Sequence, residues 1–390
     1  MLRYLLPIAV FISLLGCSSK NEKELDLEAV DLVKFEASVK LNRIWSRKAG
    51  SGQDNRYTRF SVALDGQGYI YTAGYKGDVQ SFEANTGKKG WSINTDEPIS
   101  GGVGVDTNTV YFGTYNGTVH ALDSRSGEQL WQVEISSEVL SAPVSNGDLV
   151  VATTIDGRVF ALDTKTGEQR WSYDHALPVL TVRGTASAVV TASQVIVAFD
   201  NGQVLSLSAS DGSTQWEFRV ARPQGRTELD RIVDIDGTPI IDGGYLYAGS
   251  FQGNVAAVSR GSGRVMWTKA ASTSYSMAAA QGKVFVSTED SRIQAFNAIT
   301  GELEWENFEL KRRNTSGPVV FDSFLVVTDG YGYVHVLNQS DGKFAARFKM
   351  PGGKQRSRGM PRIPLLSDGK ILYTYADGGK LSAYTVKTEE

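Results

Sequence analysis

The side chains best equipped for chemistry are few in this 390-residue chain: one cysteine, Cys17, and three histidines, His120, His175 and His335. A thiolate can attack a carbonyl, ligate a metal or carry an acyl chain. An imidazole can shuttle a proton or ligate a metal near neutral pH. A single cysteine excludes an internal disulfide and a thiolate metal cluster. His120 in "TVHAL" and His335 in "YVHVL" hold equivalent positions, expected on strand surfaces, and His175 in "YDHALP" follows a strand and is expected to be exposed. Their spacing converges on no metal site. No G-x-S-x-G elbow, H-E-x-x-H pair or phosphate-cradling glycine loop occurs. The many Asp-Gly and Asn-Gly pairs fall where hairpins are required, and the sequon Asn116-Gly117-Thr118 coincides with one of them. The sequence therefore predicts no catalytic residue, no metal and no cofactor.

Cys17 owes its meaning to what precedes it. Arg3 and the apolar run from Tyr4 to Leu15 describe an export signal, too short to span a bilayer, which takes about 20 apolar residues. Leu14-Leu15-Gly16-Cys17 resembles the lipobox of bacterial lipoproteins. That resemblance implies cleavage after residue 16 and acylation of Cys17, and several acyl chains on one residue give stable anchoring where one gives little. Ser18, where an Asp would suggest retention at the inner membrane, implies by the same resemblance the outer membrane. An incidental cysteine behind an ordinary signal is the alternative. The remainder is predicted to be soluble: mean hydropathy is −0.21 and no second long apolar run exists. The net charge of −3 supplies no basic face for nucleic acid. Residues 17–40 are charged and poor in aromatics, and are expected to form a flexible tether, helical at most briefly around Leu25–Val33.

The elements that must position any site are written in a repeat. "GTVHALDSRSGEQLW" (117–131) recurs as "GRVFALDTKTGEQRW" (157–171), and the same frame returns at 77–91, 202–216, 253–267, 291–305 and, degraded, 332–346. Tryptophans close six of these copies, at 91, 131, 171, 216, 267 and 305. Alternating apolar residues, a glycine turn and a strand opening near the tryptophan, with two further strands upstream, make a four-stranded unit of about 40 residues, the period of a propeller blade. The third-strand register occurs eight times, the last at 381–384, after which the chain ends without a fourth strand. A spare tryptophan, Trp45, precedes the first unit. The fold expected is all-β: a single eight-bladed β-propeller of four-stranded antiparallel blades over residues 41–390, its last blade completed by the N-terminal strand. Each tryptophan is expected to cover the tight glycine turn and pack on the neighbouring sheet.

Function in such a ring is sought where the repeat breaks. Two connections are long: "LPVLTVRGTAS" (177–187) and "RPQGRTELDRIVDIDGTPI" (222–240). With Pro143 aligned to Pro239 and, approximately, to Ala188, Arg183 and Asp234 stand at the same offset before the first strand of consecutive blades. Leu180, Val182 and Arg183 with Asp234 and Asp236 would form a mixed patch on one face. Apolar anchors beside arginine suit a protein interface; an inter-blade salt bridge is the plainer alternative, contributing about 0–1 kcal/mol if exposed.

Two family resemblances follow from these residues. The A-x-D-x-x-x-G-x-x-x-W frame is similar to that of quinoprotein alcohol dehydrogenases, which hold pyrroloquinoline quinone and Ca²⁺ beneath a disulfide of adjacent cysteines; no such pair exists here. Over essentially its whole length, the chain resembles the BamB family of propeller lipoproteins in the outer-membrane β-barrel assembly machinery. That resemblance rests on the lipobox, acidic tether, eight blades and two long connections. It implies a non-enzymatic scaffold, lipid-anchored at the outer membrane and facing the periplasm, that assists folding and insertion of β-barrel proteins. Leu180-Thr181-Val182-Arg183, with Val at the second apolar position, and Asp234-Ile235-Asp236 match the family's Leu-x-Leu-Arg and Asp-x-Asp stretches. The resemblance implies that they contact the POTRA domains of BamA. Unfolded clients would be held, if at all, by strand pairing at an exposed blade edge.

Overall fold

A computed structural model describes residues 28–52, 60–176, 186–227, 229–351, 365–376 and 378–387. The strands form eight four-stranded antiparallel sheets, in seven of which the chain runs consecutively from the first strand to the fourth. The exception closes the ring. Blade 8 takes Leu365–Ser367, Leu372–Ala376 and Lys380–Lys387 from the C-terminal end and its fourth strand, Lys40–Lys48, from the N-terminal end. Lys40 pairs with Lys387 and Lys48 with Lys380. The eight-bladed reading with a shared last blade holds. The alignment of first strands also holds, since Val144, Val189 and Ile240 each open one directly after Pro143, Ala188 and Pro239.

Burial lies between blades rather than inside any one of them. Each apolar cluster joins two neighbours, as Val159, Ala161 and Trp171 of blade 3 meet Val195, Val197, Leu205 and Leu207 of blade 4. The tryptophans join these interfaces in one direction round the ring. The Nε1 of Trp131 donates to the carbonyl of Thr164 at 2.9 Å, Trp171 to Ala209 at 2.9 Å and Trp267 to Ala298 at 2.9 Å. Each ring lies flat on the turn glycine of the next blade. A Cβ added to Gly127, which has φ 76°, would sit 2.7 Å from Cδ2 of Trp91, so glycine is needed there for backbone and space alike. Trp45, on the closing strand, does the same for blade 1, over Gly87 with its Nε1 on Ala84.

One junction lacks its tryptophan. Blade 7 carries Ala346 instead, and its cross-strand partner is Val336, where blades 2 to 6 place Ala or Ser opposite Trp. The reason is topological. The third and fourth strands of blade 8 come from opposite ends of the chain, so no tight turn joins them for an indole to cover. Tyr384, Val39, Leu41 and Val386 fill the space.

Two sequence expectations need correction. Residues 28–39 do not trail as a free tether and hold no helix among those described. They run extended against the outside of blade 7, with the Ser38 and Val39 amides donating to the Ala345 carbonyl at 3.0 and 3.3 Å. The histidines are not exposed on strand surfaces either. His120 and His335 are buried, because third strands are covered by neighbouring blades on both faces, and His175 is half-buried, stacked on Phe199 at 3.9 Å.

Candidate partner-binding face

Among the described residues, the connections that lead from a fourth strand to the next blade's first strand lie on one face of the disc, and 222–239, between blades 4 and 5, is one of them. Leu180, Val182 and Arg183 lie outside the described residues; Ala186, just after them, is buried. The second connection is built from Val220 onward. Its tip is held by local bonds: Thr227 N–H to the Asp230 carboxylate at 3.1 Å, Asp230 N–H back to the Thr227 hydroxyl at 3.2 Å, and Arg231 Nε to the Gly225 carbonyl at 3.2 Å. One 3-10 turn, Leu229–Arg231, follows.

Beyond the tip the chain dives. Ile232, Val233 and Ile235 are buried, and so are the two acids: Asp234 is 0 % exposed and Asp236 5 %. The Asp234 carbonyl accepts from the Phe251 amide at 2.9 Å, tying the connection to the turn between the second and third strands of blade 5. The expected charged rim is thus revised. Asp234 and Asp236 lie beneath the surface, because Ile235 packs between blades 4 and 5, with Ile232 and Val233 also buried, and the flanking acids are carried inward. What this connection offers outward is its tip: exposed Arg222, Arg226 and Arg231 around Leu229, 66 % exposed. Leu229 was legible as the lone large apolar residue in "RPQGRTELDR", but the Asp-x-Asp spacing drew the assignment away from it.

The remaining titratable groups serve packing. His335 accepts at Nδ1 from Arg347 Nε at 3.1 Å and therefore donates from Nε2 to Asp329 at 3.0 Å, a neutral tautomer. Burial holds its pKa below the ordinary value, against the pull of Asp329. Burial alone would raise Asp329, but His335, then the Tyr333 amide and then Arg313 hold it low. His120 stacks on Phe112 at 4.7 Å with Nε2 3.4 Å from Glu97, and its burial likewise lowers its pKa. Among the described residues no three His, Cys, Asp or Glu side chains gather to hold a metal. A quinone site roofed by adjacent cysteines does not fit a chain whose one cysteine, Cys17, precedes the ring.

Fold and face together define a class: an eight-bladed, tryptophan-docked propeller closed by its N-terminal strand, with a long connection exposed on one face. The family model for "Outer membrane protein assembly factor BamB" matches residues 75–307 and 289–390. The chain is 47% identical to BamB of Pseudomonas aeruginosa over 97% of this chain and 98% of the relative. It is 32% identical to BamB of Escherichia coli K12, over 96% and 97%. The crystal structure of BamB from Moraxella catarrhalis superposes with TM-score 0.80 at 29% identity, covering 89% of this chain and all of that one. A quinohemoprotein alcohol dehydrogenase from Comamonas testosteroni gives TM-score 0.66 at 12% identity over 88% and 76%, a likeness of fold alone. The chain belongs to the BamB family of outer membrane protein assembly factors, and so stands with accessory factors rather than with the dehydrogenases that share its blades.

Proposed function

We propose that this protein is a scaffold of the outer-membrane assembly machinery, anchored through acylated Cys17 with its disc in the periplasm, and docked on the POTRA domains of BamA. Full-length family membership carries this reading, supported by the long connection 222–239 and its exposed tip on one face. In it, Leu180, Val182 and Arg183 supply the direct contacts. Asp234 and Asp236 act from below, holding the second connection against blade 5 so that Leu229 and its arginines are presented beside them. Docking would orient the periplasmic arm of the barrel subunit and so assist folding and insertion. Unfolded clients would pair with the outer edges of blades 5 and 6, where Val265, Met266, Ile299 and Leu303 are exposed.

The test is a pull-down of BamA from solubilised membranes with the parent and Arg183→Glu. Capture by the parent and its loss in the variant is the expected result; equal capture by both would overturn the assignment of the contact. Cys17→Ser, followed by membrane fractionation, reads the anchor separately, with release to the soluble periplasm expected.

A further inference from the structure

The asymmetry at blade 7 has a purpose of its own. In blades 1 to 6 the first two residues of the fourth strand are exposed, as in Gln129-Leu130 and Val265-Met266. In blade 7 they are Phe344 and Ala345, both buried, because residues 28–39 lie over them. Phe35 stacks on Phe344 with centroids 5.2 Å apart, and the small Ala345 lets the strap backbone reach its carbonyl. Two arginines grip the strap by its main chain: Arg313 Nη1 donates to the Val30 carbonyl at 2.9 Å and Arg347 Nη1 to the Val33 carbonyl at 2.8 Å. The Arg347 guanidinium also lies over both phenyl rings, 4.9 Å from Phe35 and 4.6 Å from Phe344.

These arginines are fixed from behind. Arg313 bonds buried Asp329 through Nε at 2.9 Å and Nη2 at 2.8 Å, and Arg347 rests on His335, which rests on the same carboxylate. A single buried acid thus aims both grips, and charge-assisted bonds to carbonyls hold a backbone whatever side chains it bears. At its upper end the Val30 amide donates to the carbonyl of Lys311, in the connection between blades 6 and 7. That connection lies on the same face as 222–239, whereas Ala345, near the strap's other end, begins a fourth strand close to the opposite face.

We propose that residues 30–39 form a latch that carries the N-terminal end across the full height of blade 7 and releases it on the face bearing the connection at 222–239. The consequence for anchoring rests on the lipoprotein reading above. From Cys17 the chain has 13 residues to Val30, a reach of at most about 45 Å, against about 80 Å for the 23 residues to Lys40 were the strap loose. The latch would keep that rim of the loop-bearing face near the bilayer.

Disulfide trapping tests it on the mature chain carrying Cys17→Ser. Val30→Cys with Lys311→Cys should cross-link on mild oxidation, whereas Val30→Cys with Asp341→Cys, in the turn on the opposite face, should not. Equal yields from both pairs, or none from the first, would overturn the latch. Phe35→Ala, which alters the strap and not the disc, should speed hydrogen exchange of the Val30, Ser38 and Val39 amides at least about tenfold while amides of Tyr333–Asn338 keep their rates. Parental exchange at those three amides in the variant would equally refute it. In the lipidated chain, Phe35→Ala should lower energy transfer to a bilayer acceptor from a dye on Glu309→Cys, an exposed position in the connection between blades 6 and 7. Absence of the parent from membranes would refute the anchor while leaving the trapping result intact.

Discussion

The indole that docks on the next blade's turn is where a single side chain decides most. Trp171 is buried, bonded to the Ala209 carbonyl and packed on Gly212, so Trp171→Ala should cost about 3–5 kcal/mol, read from denaturant midpoints. Ala346→Trp restores the repeat yet should destabilise by about 1–3 kcal/mol, because the site is already filled and no turn awaits the ring. Stabilisation by that change would show the topological explanation to be wrong. The buried histidines give a pH dependence. His335 stays neutral in the fold while the unfolded chain takes up a proton below about pH 6.5, so stability should fall as pH drops through 6.5. His335→Gln, which can keep both the donor and the acceptor role, should flatten that slope by up to about one proton between pH 7 and 5, measured from urea midpoints.

At the scale of elements, the closing strand matters most. Lys40–Lys48 supplies a fourth strand to blade 8 and, through Trp45, the docking residue for blade 1. A chain beginning at Ala49 would expose the edge of Lys380–Lys387 and leave the clusters of both neighbouring junctions open. It should lose its single unfolding transition and elute as higher-order species in size exclusion; a monomer that melts like the parent would contradict ring closure as the source of cooperativity. The connection at 222–239 is the other decisive element, since it carries Asp234-Ile235-Asp236 beneath the surface and leaves its tip exposed.

For the whole molecule, support and contact are separable. Arg183→Glu should abolish capture of BamA with the melting temperature unchanged. Asp234→Ala should lower both on the proposed supporting role, since it changes a fully buried side chain at a cost of about 1–3 kcal/mol although the main-chain bond to Phe251 remains. A variant at 234 that binds poorly but melts like the parent would return the acid to direct contact.

The architecture was legible because a repeat states its geometry many times over. Glycine turns, alternating strands and spaced tryptophans each specify local structure, and the count of third strands against fourth strands requires the N-terminal strand to close the ring. The exposure of the acids at 234 and 236, the burial of His120 and His335, and the docking of residues 28–39 were not legible. Each depends on groups remote in sequence: Phe251 for the connection, neighbouring blades for the histidines, and Arg313 and Arg347 for a strap nearly 300 residues upstream. Periodicity tells a chain which way a side chain points along its own strand, but what lies opposite it is settled only when eight sheets meet around one axis.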